Sequence, residues 1–545
     1  MTIDLLLTNA RVFTVDPARP WAEAVACRGG RIVAVGRAAE LDALAGPATR
    51  RIDCGGRLLL PGLTDAHVHT LQYAIRRQQV SLFGLTDLAA VRERLAQAVA
   101  AAAPGAWVIG WGWDSHRWDE QPTAALLDAI APHHPVALAR MDMHTWWVNS
   151  RALAIAGVTA ETPNPPDSAI GRDAAGNPTG LFSEWNAIAL IERHVPRPDA
   201  ATLTGWLAET VAEANRLGLT GLHDQRVERE GAESLRLFQA LRREGRLTLR
   251  VHANIAADYI AEAAQLGLQS GFGDDVLWLG HVKAFADGAM GSRTAAMLAA
   301  YEGEPENTGI VVTSADKLWA TLVAAAEAGF PMSVHAIGDR AVREVLDVMG
   351  EWPPAAGATS RGTTSALSMP PRIEHVQLCH PDDLGRLAAH GIVASVQPIH
   401  LPSDWRTADR VWGQRARTAY AFRSLLDRGA ALAFGSDAPV APLNPLLGIH
   451  AAVTRQDETG QPAGGWYPAE RLTVAEAIEG YTLGPARLSG KGDRLGSITP
   501  GKYADMVVLS DDLFEIAPEA IPETQVWLTV FEGRVVYDSA VRRTF

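Results

Sequence analysis

The sequence predicts an α/β protein, a (β/α)₈ barrel of the TIM type that carries a small composite β-sandwich domain and an inserted subdomain. Apolar runs alternate with Ala-, Leu- and Glu-rich helical stretches, which is the pattern of parallel βαβ units. There are eight such runs, the number of strands that closes a barrel. They are residues 57–63, 217–222, 247–251, 276–285, 330–334, 372–373, 392–396 and 431–434.

The two ends of the chain predict the companion domain. Short β-branched runs separated by Asn, Gly and Pro lie within residues 4–35, and similar runs lie within residues 504–537. An isolated hairpin is only marginally stable in water, so the two ends are expected to combine. We predict a β-sandwich from residues 1–60 with 488–545, and a barrel domain from residues 61–487.

The interval between the first and second apolar runs is far longer than one crossover connection needs. It therefore predicts an insertion at about residues 72–214, a segment rich in tryptophan. Aromatic side chains are common in small-molecule pockets. The candidate substrate contacts are Trp111, Trp113, Trp146 and Trp147, with the polar residues His144, Asn149, Glu184 and His223. The alternative for the tryptophans is the insertion's own core, and for His223 it is packing inside the barrel.

Composition limits the cellular setting and the partners. Among 545 residues, 47% are hydrophobic and 20% are charged, and no run of 18 uninterrupted apolar residues predicts a membrane span. The first residues do not resemble a secretory signal, so we expect a cytoplasmic protein. The three cysteines, Cys27, Cys54 and Cys379, lack metal-finger spacing and fit a reducing compartment. The net charge of −13 disfavours nucleic acid, which leaves a small-molecule substrate and, on base rates, a homodimer.

Polar residues at the ends of the apolar runs indicate a metal site. The loops that follow parallel barrel strands lie on one face, so these residues converge although they are distant in sequence. His67 and His69 follow the first run and, two residues apart on an extended chain, point the same way. Other residues mark the fourth, fifth, sixth and eighth runs: Lys283, His335, His375 and Asp437. One His-x-His pair is a weak signal, but the whole set is typical of Zn²⁺ or a similar divalent ion.

Several motifs carry a family resemblance. Residues 61–69 (PGLTDAHVH), 372–375 (RIEH), 435–439 (GSDAP) and 495–505 resemble the amidohydrolase superfamily. Residues 110–114, 144–150, 282–288 and 333–339 are similar to its amidohydrolase-3 branch, the YtcJ-like proteins that include N-substituted formamide deformylase. The resemblance covers essentially the whole chain.

The resemblance implies a metal-dependent hydrolase of amide, N-acyl, N-formyl or cyclic amide C–N bonds. One or two ions would be held by His67, His69, His335, His375 and Asp437. Lys283 would be a carboxylated lysine that bridges two ions, since an ammonium group has no lone pair to offer; the alternative is an unmodified lysine at the barrel mouth. The metal would lower the pKa of a bound water towards ~7. Asp437 would take the proton from that water and pass it to the leaving amine.

Three alternatives remain at this stage. A mononuclear deaminase of the same superfamily is expected to have a glutamate after the fifth strand and no lysine after the fourth, unlike the sequence around His335 and Lys283. An ester, lactone or carbamate substrate stays open because the attacking hydroxide does not depend on the leaving atom. A binding protein that had lost its metal would lack ligands, whereas every expected ligand position is filled.

Overall fold

The computed structural model describes residues 2–85, 87–115, 118, 120–141, 145–166, 168–226, 230–351 and 369–541. The chain divides into two compact units. The smaller unit is Leu71–Trp206, and the larger combines Met1–Thr70 with Leu207–Phe545. The predicted boundary between a β-sandwich of residues 1–60 with 488–545 and a barrel domain of residues 61–487 stays a prediction. No helix among the described residues combines the length and apolar character that a membrane crossing requires.

Eight parallel strands form the barrel of the larger unit, and each pairs with its neighbour in chain order. The strands are Leu63–Val68, Leu219–Asp224, Arg250–Ala256, Leu277–Phe285, Met332–Ala336, Arg372–His375, Val393–Val396 and Leu432–Phe434. Val68 of the first strand forms a parallel bridge with Ala438, which lies beyond the end of the eighth strand. The strands are buried on both faces, which explains their continuous hydrophobic runs. The predicted fold class is confirmed.

Helices connect the barrel strands or follow the last of them. They are Ala200–Arg216, Glu233–Arg243, Ile260–Gln265, Ala315–Glu327, Asp339–Met349, Arg386–Ala389, Leu401–Trp412, Phe422–Asp427, Pro445–Thr454, Val474–Gly480 and Leu483–Leu488. Short 3₁₀ turns lie at Ala257–Tyr259, Pro398–His400, Gly413–Thr418, Pro468–Glu470 and Pro518–Glu523. Asp339–Met349 packs its apolar residues inward, including Val342 and Val345.

Two further sheets come from the chain ends. One has Arg31–Gly36, Ala24–Arg28, Leu5–Thr8 and Arg50–Asp53 in that order, with a short helix at Ala38–Asp42. The other runs Arg534–Asp538, Val526–Phe531, Met506–Leu509, Leu58–Pro61, Arg11–Phe13 and Trp21–Ala22. Leu7 and Val25 of one sheet share a core with Leu59 and Val508 of the other. Neither chain end could bury this core alone.

The predicted first barrel strand, 57–63, is wrong in its limits. Leu58–Pro61 belongs to the end sheet, where it pairs with Met506–Leu509, and the barrel strand is Leu63–Val68. Both strands are buried, so hydrophobicity alone does not mark the boundary. Gly62 separates them, and a Cβ there would lie 2.1 Å from Thr220 Oγ1. As a consequence His67 lies inside the strand and His69 just beyond it.

The smaller unit is built on a mixed six-stranded sheet. Its strands, in spatial order, are Ala169–Arg172, Pro178–Ser183, Thr145–Val148, Val136–Arg140, Val108–Trp113 and Val80–Ser81. Its helices are Leu88–Ala101, Ala124–Ile130, Ser150–Ala156 and Trp185–Glu192, and Thr70–Arg76 begins at its boundary. Two clusters of buried apolar residues form its core.

Candidate metal centre

The structure brings the six predicted ligands together at the C-terminal ends of the barrel strands. The ring centroids of His67 and His375 are 4.9 Å apart, and those of His335 and His375 are 4.5 Å apart. His69 lies 5.5 Å from His67 by the same measure. Lys283 is close enough for its charge to lower the pKa of His335 and His375. Strand closure therefore gathers residues that are scattered over most of the chain.

One half of the cluster consists of His67, His69 and Asp437. One possible ligand atom from each lies within 4.8 Å of the others. The Nε2 atoms of both histidines are 3.3 Å from Asp437 Oδ1. Asp437 has a left-handed backbone (φ 58°), and its N–H donates to His67 O at 2.7 Å. Such disfavoured backbone conformations are concentrated at functional sites, where the surrounding structure holds them.

Charge favours a cation in this half. Burial lowers the pKa of His67, but the carboxylates of Asp437 and Glu374 outweigh it and raise the pKa above its ordinary value. Burial alone would raise the pKa of Asp437, yet His67 and His69 hold it well below its usual range. Two carboxylates thus stabilise positive charge at His67, and a bound metal ion would supply that charge.

Hydrogen bonds determine which ring nitrogen three of the four histidines present to the cluster. His67 Nδ1 lies 2.6 Å from Glu374 Oε2, and His375 Nδ1 lies 2.7 Å from Gln397 Oε1. His335 instead uses Nε2, which donates to Gly288 O at 2.9 Å. A neutral imidazole that donates through one nitrogen keeps a lone pair on the other. The lone pairs are therefore at Nε2 of His67 and His375 and at Nδ1 of His335.

His335 and His375 are in the protonation state that a metal requires. Burial, followed by the Lys283 charge, lowers the pKa of His335 to about 3. Burial, followed by the charge of His335, lowers the pKa of His375 well below its usual range. Both imidazoles are neutral at neutral pH, and only a neutral imidazole binds a metal ion.

Lys283 is a buried amine with an unusual environment. Its Nζ forms no hydrogen bond with any residue that the structure describes, and it lies 4.9 Å from the Phe285 ring centroid. Burial lowers the pKa of Lys283 to about 8, and Glu374 and Asp437 offset this only partly. A buried ammonium without a partner is unfavourable, so this position fits a lysine whose charge has been removed. The donors present suit one or two divalent ions.

Two further residues near the centre were missed by the sequence analysis. His400 follows the seventh strand, with Nε2 3.2 Å from Ser436 O and 4.0 Å from Asp437 Oδ2. It is the first histidine after that strand, which is the signal that could have found it. Asp65 is within the PGLTDAHVH motif and accepts hydrogen bonds from the backbone N–H groups of His67 and Ser436. Asp65 thereby joins the first and eighth strands beneath the cluster.

Comparison with known proteins decides the family. A sequence model described as "Amidohydrolase family" matches residues 50–537. The chain belongs to the amidohydrolase family.

Relatives and solved structures agree with this membership. The amidohydrolase is 35% identical to Protein LONG AFTER FAR-RED 3 of Arabidopsis thaliana, over 98% of this chain and 91% of that protein. It is 30% identical to N-substituted formamide deformylase of Arthrobacter pascens, over 98% of both chains. An uncharacterized metal-dependent hydrolase from Pyrococcus horikoshii aligns with a TM-score of 0.76 and 25% identity, over 94% of this chain and 99% of that one. The predicted family is confirmed, and the amidohydrolase is a metal-dependent hydrolase.

His223 does not belong to the cluster of candidate ligands. Its ring stacks on His252 inside the amidohydrolase barrel, with centroids 4.4 Å apart, and its Nδ1 lies 3.0 Å from Arg372 Nη1. The side chain is only 2% exposed. His223 therefore packs inside the barrel, which was the alternative to its predicted substrate contact.

Trp113 is a core residue of the smaller unit, so its prediction as a pocket wall is wrong. The side chain is buried, its Nε1 donates to Leu138 O at 2.8 Å, and its ring lies 5.8 Å from that of Trp147. Trp147 is fully buried in the same cluster. Trp111 and Trp146 are partly buried, and their substrate contacts stay predictions.

Asn149 is also structural. Its Oδ1 accepts from the N–H groups of Val136 and Ala152, and its Nδ2 donates to Ala131 O and His134 O. It is the N-cap of the helix Ser150–Ala156, and its amide has no donor or acceptor left for a substrate.

The last two candidate substrate residues stay untested. Glu184 is exposed and precedes the helix Trp185–Glu192 with a φ of 66°. His144 lies outside the described residues.

Proposed function

We propose that this amidohydrolase cleaves the C–N bond of an amide, in an N-acyl or N-formyl amine or a cyclic amide. The observation that carries the proposal is the cluster of His67, His69 and Asp437 beside His335 and His375 at one mouth of the barrel. The name of the relative N-substituted formamide deformylase supports this substrate class. Two features support a resident metal: the neutral, buried imidazoles of His335 and His375, and the Lys283 amine, which has no hydrogen bond to any described residue.

We propose Zn²⁺ as the metal, in two positions. His67, His69 and Asp437 would hold one ion, and His335 and His375 would hold the other. Reaction of the neutral Lys283 amine with CO₂ would form an N–C bond, release one proton and leave a carbamate, whose oxygens could serve as ligands where an ammonium cannot. The lowered pKa of Lys283 and the absence of a hydrogen bond from Nζ to any described residue support this modification. When bound, the metal acidifies a water molecule and polarises the scissile carbonyl.

Asp437 has the position and ionisation state of a proton carrier. His67 and His69 hold its pKa well below the usual range, so the carboxylate is ionised at neutral pH. We propose that Asp437 takes the proton of the attacking water and delivers it to the nitrogen of the leaving amine. Its backbone is held by the hydrogen bond to His67 O, which fixes the carboxylate at the mouth.

The cellular compartment and the partners of the enzyme stay predictions from the sequence. All three cysteines are free, which is typical of a reducing compartment, and we propose the cytoplasm. A small molecule is the proposed substrate, without nucleic acid, and a homodimer stays a prediction.

A substrate screen with and without metal tests the proposal. The purified enzyme is dialysed against a chelator, reloaded with Zn²⁺, and assayed on N-formyl and N-acyl benzylamines, cyclic amides and aryl esters. We expect amide hydrolysis that disappears on dialysis and returns with Zn²⁺. Hydrolysis of the esters alone would replace the amide proposal with an esterase. Full amide hydrolysis in the metal-free enzyme would contradict the metal mechanism.

A further inference from the structure

Glu374 lies directly behind one of the candidate ligands. Its Oε2 is 2.6 Å from His67 Nδ1, on the opposite side of the ring from Asp437. The exposed fractions of the His67 and Glu374 side chains are 1% and 0%. Glu374 immediately precedes His375 in the chain, yet it serves a histidine of another strand. Neither the sequence motif nor the proposed mechanism gives it a task.

Arg372 holds the Glu374 carboxylate in place. Its Nε pairs with Glu374 Oε1, and its Nη2 donates to Glu374 Oε2 at 3.0 Å. Arg372 Nη2 also donates to Ala66 O at 2.6 Å and Ser395 Oγ at 2.7 Å. Ser333 Oγ donates to Glu374 Oε1 at 2.6 Å. These contacts keep the carboxylate ionised and leave it little freedom to turn away from His67.

His335 and His375 donate to neutral acceptors. His375 is held by the neutral amide of Gln397, and His335 donates to the backbone carbonyl of Gly288. The carboxylate of Asp287 lies farther from the same His335 nitrogen, at 3.5 Å, and accepts hydrogen bonds from three backbone N–H groups. A hydrogen bond to an ionised acceptor is shorter and stronger than one to a neutral acceptor. A carboxylate behind a ligating histidine also makes the imidazole a better electron donor to the metal. Among the four histidines of the cluster, His67 is therefore the one with a carboxylate at hydrogen-bonding distance behind its ring.

We propose that Glu374 is a positioning residue that makes the ion held by His67, His69 and Asp437 the more tightly bound one. It does so by fixing the His67 tautomer with Nε2 towards Asp437 and by increasing the donor strength of the ring. Arg372 keeps the carboxylate charged and oriented. This inference rests on the metal site of the proposed function.

Chelator competition measures the effect directly. Metal-free enzyme is titrated with Zn²⁺ against a chromophoric chelator, and the bound metal is counted by mass spectrometry. In Glu374→Gln the side chain keeps its length but loses its charge, and we expect the tightest Zn²⁺ to bind about 10- to 100-fold more weakly. The d–d absorption of the Co²⁺-loaded enzyme should change as well. The melting temperature of the metal-free variant shows whether it is folded. If Glu374 acts only in folding, a folded variant should keep the wild-type Zn²⁺ affinity and Co²⁺ absorption.

Gln397→Ala is the matched control because it removes the acceptor behind His375. It should weaken the second ion and leave the tightest one unaffected. If Glu374→Gln does not fold, Glu374→Asp decides, since it keeps the charge beside Arg372 but withdraws it from His67 by one methylene. An unchanged affinity for the tightest ion in whichever variant folds would overturn the inference and leave the proposed function standing. A wild-type enzyme that binds no Zn²⁺ would overturn both.

Discussion

Two groups of buried histidines lie in the same barrel. The upper layer is His67, His335 and His375 at the C-terminal ends of the strands, for which we propose metal binding, and the lower layer is His252 and His281 inside the barrel. In the upper layer His67, His335 and His375 each use one ring nitrogen for a protein contact behind the ring. In the lower layer both nitrogens are used: His252 Nδ1 accepts from Trp278 Nε1 at 3.1 Å, and its Nε2 lies 3.0 Å from His281 Nδ1. His281 Nε2 then donates to Pro370 O at 2.9 Å. Residue type and burial are alike, so the remaining lone pair distinguishes the layers.

Protonation does not distinguish His375 of the upper layer from His252 of the lower layer. Burial lowers the pKa of His252 well below its usual range, with a further contribution from His223, and burial likewise lowers the pKa of His375. Both are neutral at neutral pH. His252 and His281 use both ring nitrogens in hydrogen bonds inside the barrel, whereas His335 and His375 each keep one nitrogen lone pair that a cation could use. The following experiments test this difference.

The largest effect is expected from the residue that completes the upper layer. Asp437→Asn keeps the size of the side chain but removes the proton acceptor, so we expect turnover to fall by about 10²- to 10⁴-fold. The kcat of the Zn²⁺-loaded enzyme on the best amide substrate is the measurement, and bound Zn²⁺ is counted to separate lost metal from lost proton transfer. Retained turnover with an unchanged pH profile would contradict the assigned role.

Lys283→Met tests the upper layer through its metal content. The substitution preserves an unbranched side chain but has no amine to carboxylate, so we expect the bound Zn²⁺ per chain to fall by about half. In the wild-type enzyme prepared with ¹³CO₂, a carbamate carbon should be visible by ¹³C NMR and should be absent from the variant. Unchanged Zn²⁺ content together with no carbamate signal would show that Lys283 is an ordinary lysine at the mouth.

The sequence predicts the histidines of the upper layer well because each lies at or near the end of a predicted barrel strand. Residues at the ends of parallel strands converge whatever their spacing, so His67, His335 and His375 could be grouped before any coordinates. The barrel as a whole was predictable for a similar reason, from eight buried apolar runs. Strand limits were not, because Leu58–Pro61 and Leu63–Val68 are both buried and read as one run.

Hydrogen-bond partners were the part that sequence could not supply. Glu374 contacts His67 across the barrel, and no spacing along the chain marks that pair. Asn149 precedes a helix and caps it, a local signal that was interpreted instead as a substrate contact. Trp113 illustrates the same limit, since an aromatic residue in a core and one in a pocket wall have the same sequence signature. Whether a polar atom is already satisfied depends on neighbours from distant segments.

Two tryptophans of the smaller unit also differ in whether the indole N–H has a hydrogen-bond partner among the described residues. Trp113→Phe removes the donor to Leu138 O and leaves that buried carbonyl without it, so we expect the free energy of unfolding to fall by about 1–3 kcal/mol. Trp111→Phe is the matched control, because Trp111 Nε1 has no hydrogen-bond partner among the described residues. Urea unfolding of both variants is the measurement. Equal losses of stability would mean that the indole hydrogen bond does not distinguish the two positions.

The smallest effect, and the most direct test of the lower layer, is the pH dependence of stability. The pKa of His252 is well below 6.5 in the folded protein, whereas an unfolded chain has a histidine pKa near ~6.5. Below that pH the unfolded state therefore binds more protons than the folded state. The stability that neutral His252 provides is present at higher pH and is lost as the pH falls, by up to about 1.4 kcal/mol per pH unit.

His252→Gln keeps an acceptor for Trp278 and a donor for His281 but does not titrate. We expect its stability to decline less steeply than that of the wild type between pH 6.5 and 5, in urea unfolding of the metal-free proteins, and its Zn²⁺ content at pH 7.5 to be unchanged. Parallel declines would show that His252 is not held neutral, and a loss of Zn²⁺ would show that the two layers are not independent.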